Sequence, residues 1–264
     1  MKIIVCVKQV LAANRIKFDA KTNTMVRAAD TSCINPNDLF AIQIAVQLTE
    51  RYGGTITAVT MGPPISEEVL LEAIALGVDR GMLLSDQRFA GADTLATSYV
   101  LGMGIRKLGD FDMVLCGTES TDSNTGQVGP QLAEEMDLPQ VTRVEKIEKQ
   151  GGMLRLERVS DGLREVMEVA PPVLLTISRE AVSPGLPSLL DIQDAYVGKK
   201  LDCFTLDDLE ADEQKVGLNG SGIWVTGLTQ VPNKQKRCEF IKGGFRQQVQ
   251  TLMEKLREKN LIDE

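Results

Sequence analysis

Short apolar runs and helical stripes alternate along the first half of the chain. KIIVCV (2–7) is a β-branched apolar run, the pattern of a strand buried on both faces. In the polar stretch behind it, FDAKTNTM reads as a small hairpin or an excursion from the sheet. INPNDLFAIQIAVQLTERYGG (34–54) predicts a helix, with Asn35 as N-cap and Pro36 at its first position. Its apolar residues Leu39, Ile42, Ala45, Val46 and Leu48 form one stripe, and a glycine pair stops it. TITAVTM (55–61) predicts a strand, and SEEVLLEAIALG (66–77) a helix capped by Ser66 and ended by Gly77. RGMLLSD (80–86) and DMVLCG (112–117) predict further strands, followed by helices over 92–110 and 127–137. This alternation implies an α/β fold: a mostly parallel, doubly wound sheet with helices on both faces.

After Pro139 the period changes. Residues 141–178 read as a meander with turns at Gln150-Gly151-Gly152 and Asp161-Gly162, an antiparallel extension of the sheet. SPGLPSLLDIQDAYVGKKL (183–201) opens with two prolines and ends in a short helix. These features place an α/β domain over residues 1–201. From 202 to 264 the alternation is lost: TLDDLEADEQKVGLNGSG is acidic and glycine-rich, and WVTGLTQVPNKQKRCEF is extended with a basic cluster. A helix closes this arm, with Phe245, Val249, Leu252, Leu256 and Leu261 on one stripe. Such a helix packs back on its own domain or lies along a partner subunit.

Composition narrows the function. The 264 residues contain no histidine, which excludes a Ser-His-Asp triad, a Cys-His pair and an imidazole proton shuttle. A net charge of −8 and 4% aromatic residues argue against nucleic acid as a partner. The five cysteines are scattered without a C-x-x-C pair, which disfavours a disulfide framework or a metal site and reads as reduced core thiols. No run approaches the roughly 20 apolar residues of a membrane span, and the first residues read as a strand rather than a signal peptide, so the expected location is cytoplasmic. The composition favours binding over hydrolysis.

The candidate chemistry lies after the strand at 112–117. There TESTDSNT (118–125), eight small or polar residues, is followed by Gly126 and a helix. At the carboxyl end of a parallel strand, such a loop offers hydroxyls and approachable N–H groups, and the helix start adds partial positive charge. Together these would cradle a phosphate. The competing reading is a polar loop that caps its own helix. Neither G-x-x-x-x-G-K-[ST] nor a G-x-G-x-x-G after the first strand is present. The turns after residue 7, before residue 35 and after Met61 fall on the same sheet edge and could surround an adenosine.

Several ordered stretches carry a family resemblance: VKQV, NPNDLFAI, AVTMGPP, ALGVDRGMLL, ADTLATS, GTESTDSNTGQVGPQLAE and ERVSDGLREVMEVAPPVLLT. From residue 1 to about 230 the chain resembles the beta subunit of electron transfer flavoproteins. The resemblance implies a Rossmann-like, adenine-nucleotide-binding domain whose C-terminal arm wraps an alpha subunit that carries FAD. It implies nucleotide contacts at Cys6, Asn35, Pro36, Asn37, Asp38 and Met61. It also implies contacts at Asp122, Ser123, Asn124, Thr125, Gly126 and Gln127, and at Val128, Gly129, Pro130, Gln131, Leu132 and Ala133. No catalytic residue and no metal ligand is implied, so any oxidoreductase activity belongs to the complex. Where the family carries a basic residue in the loop, this chain has Thr118. QVGP (127–130) and ADTLATS (92–98) look more like the electron-bifurcating, NADH-linked branch, with Thr94 and Thr97 toward a flavin. That favours FAD in the beta subunit; AMP is the alternative. SPGLPSLLDI (183–192) matches the loop that docks a dehydrogenase, of acyl-CoA dehydrogenase type, with Leu189 as the docking residue; otherwise Leu186, Leu189 and Leu190 pack the loop onto the domain. The rival from another class is an adenine-nucleotide sensor of universal-stress type, with no redox role.

Overall fold

The computed structural model describes residues 1–11, 17–19, 24–26, 32–198, 200–224, 226 and 238–262. Of the segment read as extended with a basic cluster, residue 225 and residues 227–237 lie outside the described residues.

The expected strands and helices form in order. β1 (Lys2–Cys6) leads to β2 (Gln9–Leu11), β3 (Lys17–Asp19), β4 (Thr24–Val26) and β5 (Ser32–Ile34). β3 and β4 pair antiparallel, as the hairpin reading expects, and β2 pairs antiparallel with β5. Next come α1 (Pro36–Tyr52), β6 (Thr55–Met61), α2 (Glu67–Ala75), β7 (Arg80–Leu84), α3 (Thr94–Leu108), β8 (Met113–Gly117) and α4 (Val128–Glu135). Ser66 stands at the cap position of α2, but its hydroxyl faces Gln9 Oε1 at 3.0 Å instead of the helix.

β9 (Gln140–Gln150), β10 (Met153–Ser160) and β11 (Leu163–Val169) make the antiparallel extension. β12 (Val173–Ile177) corrects the meander reading, because it returns to the parallel core between β9 and β8. Its five residues are all buried, and a strand covered on both faces belongs at the centre of a sheet. After α5 (Leu189–Gly198), β13 (Leu201–Phe204) adds a parallel edge strand beside β7. The nine-stranded order is β11-β10-β9-β12-β8-β1-β6-β7-β13.

Two cores cover the two faces. Ile3 and Val5 of β1 point toward α1 and α2, whereas Ile4 and Cys6 point toward α3 and α4. Composition changes at residue 202, but contacts divide the chain between Val225 and Thr226. The reason is packing. α6 (Leu206–Leu209) and α7 (Gly217–Gly220) follow β13, and Leu206, Leu209 and Val216 are buried in the α3–α4 core. The second unit, Thr226–Glu264, contains α8 (Phe245–Glu258), which has no buried residue. Cys6 and Cys116 are buried free thiols, whereas Cys203 and Cys238 are exposed, contrary to the reading of all five as core. Cys203 lies on the edge strand, where one side of each residue meets solvent.

Candidate functional site

The chain changes direction across the sheet between β1 and β8. β1 hands over to α1 on one face, and β8 hands over to α4 on the other. Adjacent strands whose connections part in this way leave a crevice beyond their carboxyl ends, where open α/β sheets bind ligands. Cys6, Gly117 and the 118–127 loop stand at that crevice.

Its floor is held by Asn35 and Asp38. Asn35 is 1% exposed, and its Nδ2 donates to Asp38 Oδ1 (2.8 Å) and to the Glu119 carbonyl (3.0 Å). Its Oδ1 accepts from the Thr121 amide at 3.2 Å, so this one side chain ties the start of α1 to the loop. Asn35 occupies the cap position of α1 but, contrary to the sequence expectation, makes no cap bond, because both ends of its amide are engaged elsewhere. Asn37 adds a second bond to the Glu119 carbonyl at 2.8 Å. Asp38 Oδ2 accepts from the Lys8 amide at 2.8 Å. Burial pushes the Asp38 carboxyl up to about 7, against the opposing pull of its N–H donors from Asn35, Lys8 and Gly117. Gly117 is required by this close approach: a Cβ there would stand 2.4 Å from Asp38 Oδ1 and 2.7 Å from the Asn37 carbonyl carbon.

Above the floor, the loop folds on itself. The amides of Ser123 and Asn124 bond the Ser120 carbonyl, and the hydroxyls of Ser120 and Ser123 lie 2.8 Å apart. Asn124 and Gly126 take positive φ values of 49° and 63°. Left-handed backbone suits both residue types. Thr121 through Thr125 are exposed. The Lys8 ammonium reaches over from the end of β1, bonding Asp122 Oδ1 at 2.7 Å and Ser120 Oγ at 3.2 Å. The loop itself has no basic residue, so this charge is supplied from just beyond β1.

The loop ends at Gln127, whose side chain makes no cap bond to the first turn of α4. Thr94 Oγ bonds Gln127 Oε1 at 3.1 Å, and Ser98 Oγ bonds the Val128 carbonyl at 3.3 Å, joining α3 to the loop. Gln131 Oε1 is buried and has no hydrogen-bond partner among the described residues. Pro130, at the third helical position, contributes no N–H. Gly129 serves packing: a Cβ would stand 2.8 Å from Thr176 Cγ2 of β12. Leu132 and Ala133 are wholly buried in the core under α4, so their side chains face away from the crevice. Met61 closes β6, and Thr97 lies half-buried one turn into α3. Pro36 is exposed at the start of α1.

Two features escape a reading of the sequence. Lys8 lies over a hundred positions from its loop partners, so spacing gives no signal. Asp93 caps α3 through the Leu95 and Ala96 amides, while its second oxygen accepts from Gly222 (2.8 Å) and Ile223 (3.1 Å). That carboxylate fixes residues 222–223 at the end of α3, beside an exposed Trp224. On α5, Leu189 is 85% exposed, and Leu186 and Leu190 are also exposed, so these leucines do not pack their loop onto the domain.

Backbone amides, an ammonium and small hydroxyls as donors, with the Gln131 carboxamide oxygen as an acceptor, suit the phosphate and ribose of a nucleotide. A family model described as the electron transfer flavoprotein domain matches residues 22–199. The electron transfer flavoprotein subunit beta of Thermoanaerobacterium thermosaccharolyticum is 42% identical over 262 residues, covering 99% of this chain and all of that protein. Subunit CarD of the caffeyl-CoA reductase–Etf complex of Acetobacterium woodii is 38% identical over 264 residues, 99% of this chain and all of the relative. The acryloyl-CoA reductase electron transfer subunit gamma of Anaerotignum propionicum is 37% identical over 270 residues, with the same coverage. With this identity and coverage, the chain belongs to the beta-subunit family of electron transfer flavoproteins.

Proposed function

We propose that the crevice between β1 and β8 holds the ADP moiety of FAD, and that the chain works as one half of a heterodimer with an FAD-bearing alpha subunit. The observation that carries this reading is the loop 118–127, tied by Asn35 to the start of α1 and opening onto the uncapped first turn of α4. The amides of Val128 and Gly129 would meet the pyrophosphate. Ser123 through Gln127 would line it, and Gln131 Oε1 would accept from a ribose hydroxyl. Cys6, Asn37 and Met61 would border the adenosine. Thr94 and Thr97, joined to the loop through Gln127, would lie toward the flavin ring. Asp38 acts beneath the ligand, by holding Lys8 and Gly117 in place.

The flavin supplies the hydride and single-electron chemistry when bound; the protein binds, orients and excludes water. We assign the complex to electron bifurcation, with NADH as donor. Two relatives support this by their printed names, which tie them to a caffeyl-CoA reductase and an acryloyl-CoA reductase. A flavin-dependent dehydrogenase of acyl-CoA type is the corresponding partner, docked at exposed Leu189, and the arm with its unburied α8 would lie along the alpha subunit. No helix among the described residues is long and apolar enough to cross a membrane, in keeping with work in the cytoplasm.

The test is the nucleotide released by acid from the purified heterodimer. Two FAD per pair, both bleached by NADH without a third protein, are expected. One FAD and one AMP would remove the bifurcating assignment; no adenine nucleotide in the beta subunit would retire the site.

A further inference from the structure

The loop that would receive a phosphate carries no positive charge and two negative ones, Glu119 and Asp122. Electrostatics at that place therefore rests on a residue brought from elsewhere. Among the described residues, Lys8 is the cation in contact with the loop, through Asp122 Oδ1 and Ser120 Oγ. Its backbone is fixed on both sides: its amide donates to Asp38 Oδ2, and its carbonyl accepts from the Asn35 amide at 2.8 Å. Only the four-carbon stem is free to move, and it carries a compact charge with three donors. We propose that Lys8 is the phosphate-recognising cation of this crevice, held by Asp122 in the free chain and passed to the ligand's phosphate on binding.

Several observations make the exchange reasonable. The Lys8–Asp122 pair is half open to water, with side-chain exposures of 46% and 29%, and such pairs are weakly held. Partial burial pushes Asp122 up, but the bonds from Lys8 and Ser120 outweigh it and keep the carboxyl below its ordinary value. Asp122 is therefore ionised at neutral pH, one negative charge against the two or three of a nucleotide's phosphates. A phosphate offers the ammonium more charge and more acceptor oxygens than one carboxylate does. Once Lys8 transfers, the Asp122 carboxylate is left beside a like charge. Asp122 thus opposes binding, although the family pattern would count it as a ligand contact. The pair selects for phosphorylated nucleosides: Lys8 has nothing to gain from an uncharged one.

This rests on the nucleotide reading above, and the experiment separates the two. The full-length chain, stripped of nucleotide, is titrated calorimetrically with ADP and with adenosine. For ADP, Lys8→Met is expected to weaken binding roughly ten- to a hundredfold, the scale of a hydrogen bond to a charged group. Lys8→Arg should restore most of it, and Asp122→Asn should strengthen it severalfold. For adenosine, all three variants should match the unaltered chain. Unchanged ADP affinity in Lys8→Met would overturn the proposal while leaving the nucleotide site standing. So would Asp122→Asn weakening ADP binding as Lys8→Met does. Failure of the unaltered chain to bind ADP at all would overturn the nucleotide reading itself.

Discussion

Replacing Asn35 with alanine removes three hydrogen bonds at once: to Asp38 Oδ1, to the Glu119 carbonyl and from the Thr121 amide. The consequences differ by partner. The Glu119 carbonyl keeps its bond from Asn37, and Thr121 is exposed enough to find water. Asp38 is left buried with one donor fewer. At roughly 0.5–1.5 kcal/mol per bond, plus the penalty for the buried carboxyl, the loss is about 3 kcal/mol. For a domain of this size that lowers the melting temperature by roughly 6–12 °C. Asn37→Ala removes one exposed bond and should cost about 1 kcal/mol or less. Denaturant melts give the two energies, and hydrogen exchange at the Thr121 amide reports whether the loop has come away. If Asn35→Ala costs no more than Asn37→Ala, the loop is not held from beneath, and the floor of the crevice is described wrongly.

Three further outcomes follow from the same geometry. Asp38 should titrate near pH 7 by carbon-13 NMR of its carboxyl, because burial raises it; a midpoint below 5 would mean its N–H donors prevail. With the folded value above the unfolded one of roughly 4, the native state holds the extra proton, so this group's stability contribution falls as pH rises from about 4 to 7. Gly126→Glu, at a positive φ with only the Thr118 carbonyl nearby (3.4 Å), should keep the circular-dichroism spectrum and lose nucleotide. Gly129→Glu should instead unfold or strongly destabilise the chain, because its side chain would be driven into β12; equal melting temperatures would refute the distinction. Ending the chain after Val225 keeps the Asp93 bonds to Gly222 and Ile223 and should leave the melt unchanged while abolishing co-elution with the alpha subunit; unchanged co-elution would mean the arm is not the contact.

The sheet was legible because buried parallel strands and amphipathic helices have different periods, and β1, β6, β7 and β8 show theirs plainly. β12 was not legible as parallel: a continuous apolar run is the same string whichever neighbour it pairs with. β13 has four residues on an edge, too few to show a period, and it drew the α6–α7 segment into the core after composition had already changed. At the crevice, the polar loop stood out by its lack of apolar residues, and Asn35 by its place before Pro36. Their roles did not. Asn35 has the right type and position for a cap, yet its amide bridges 84 and 86 positions to the loop. Gly126 and Gly129 look alike in sequence; φ separates one and the nearness of Thr176 the other. Contacts across the sheet leave no trace in spacing, so the sequence does not show that Lys8 meets the 118–127 loop.

A nucleotide seated where β1 and β8 part would shield the amides around it from exchange. Amide hydrogen exchange of the chain with and without bound nucleotide tests that placement most directly. Protection should rise across residues 118–131 and at the start of α1, greatest at Val128 and Gly129, with no change at α5 or α8. Protection confined to another part of the sheet, with 118–131 unchanged, would contradict the account.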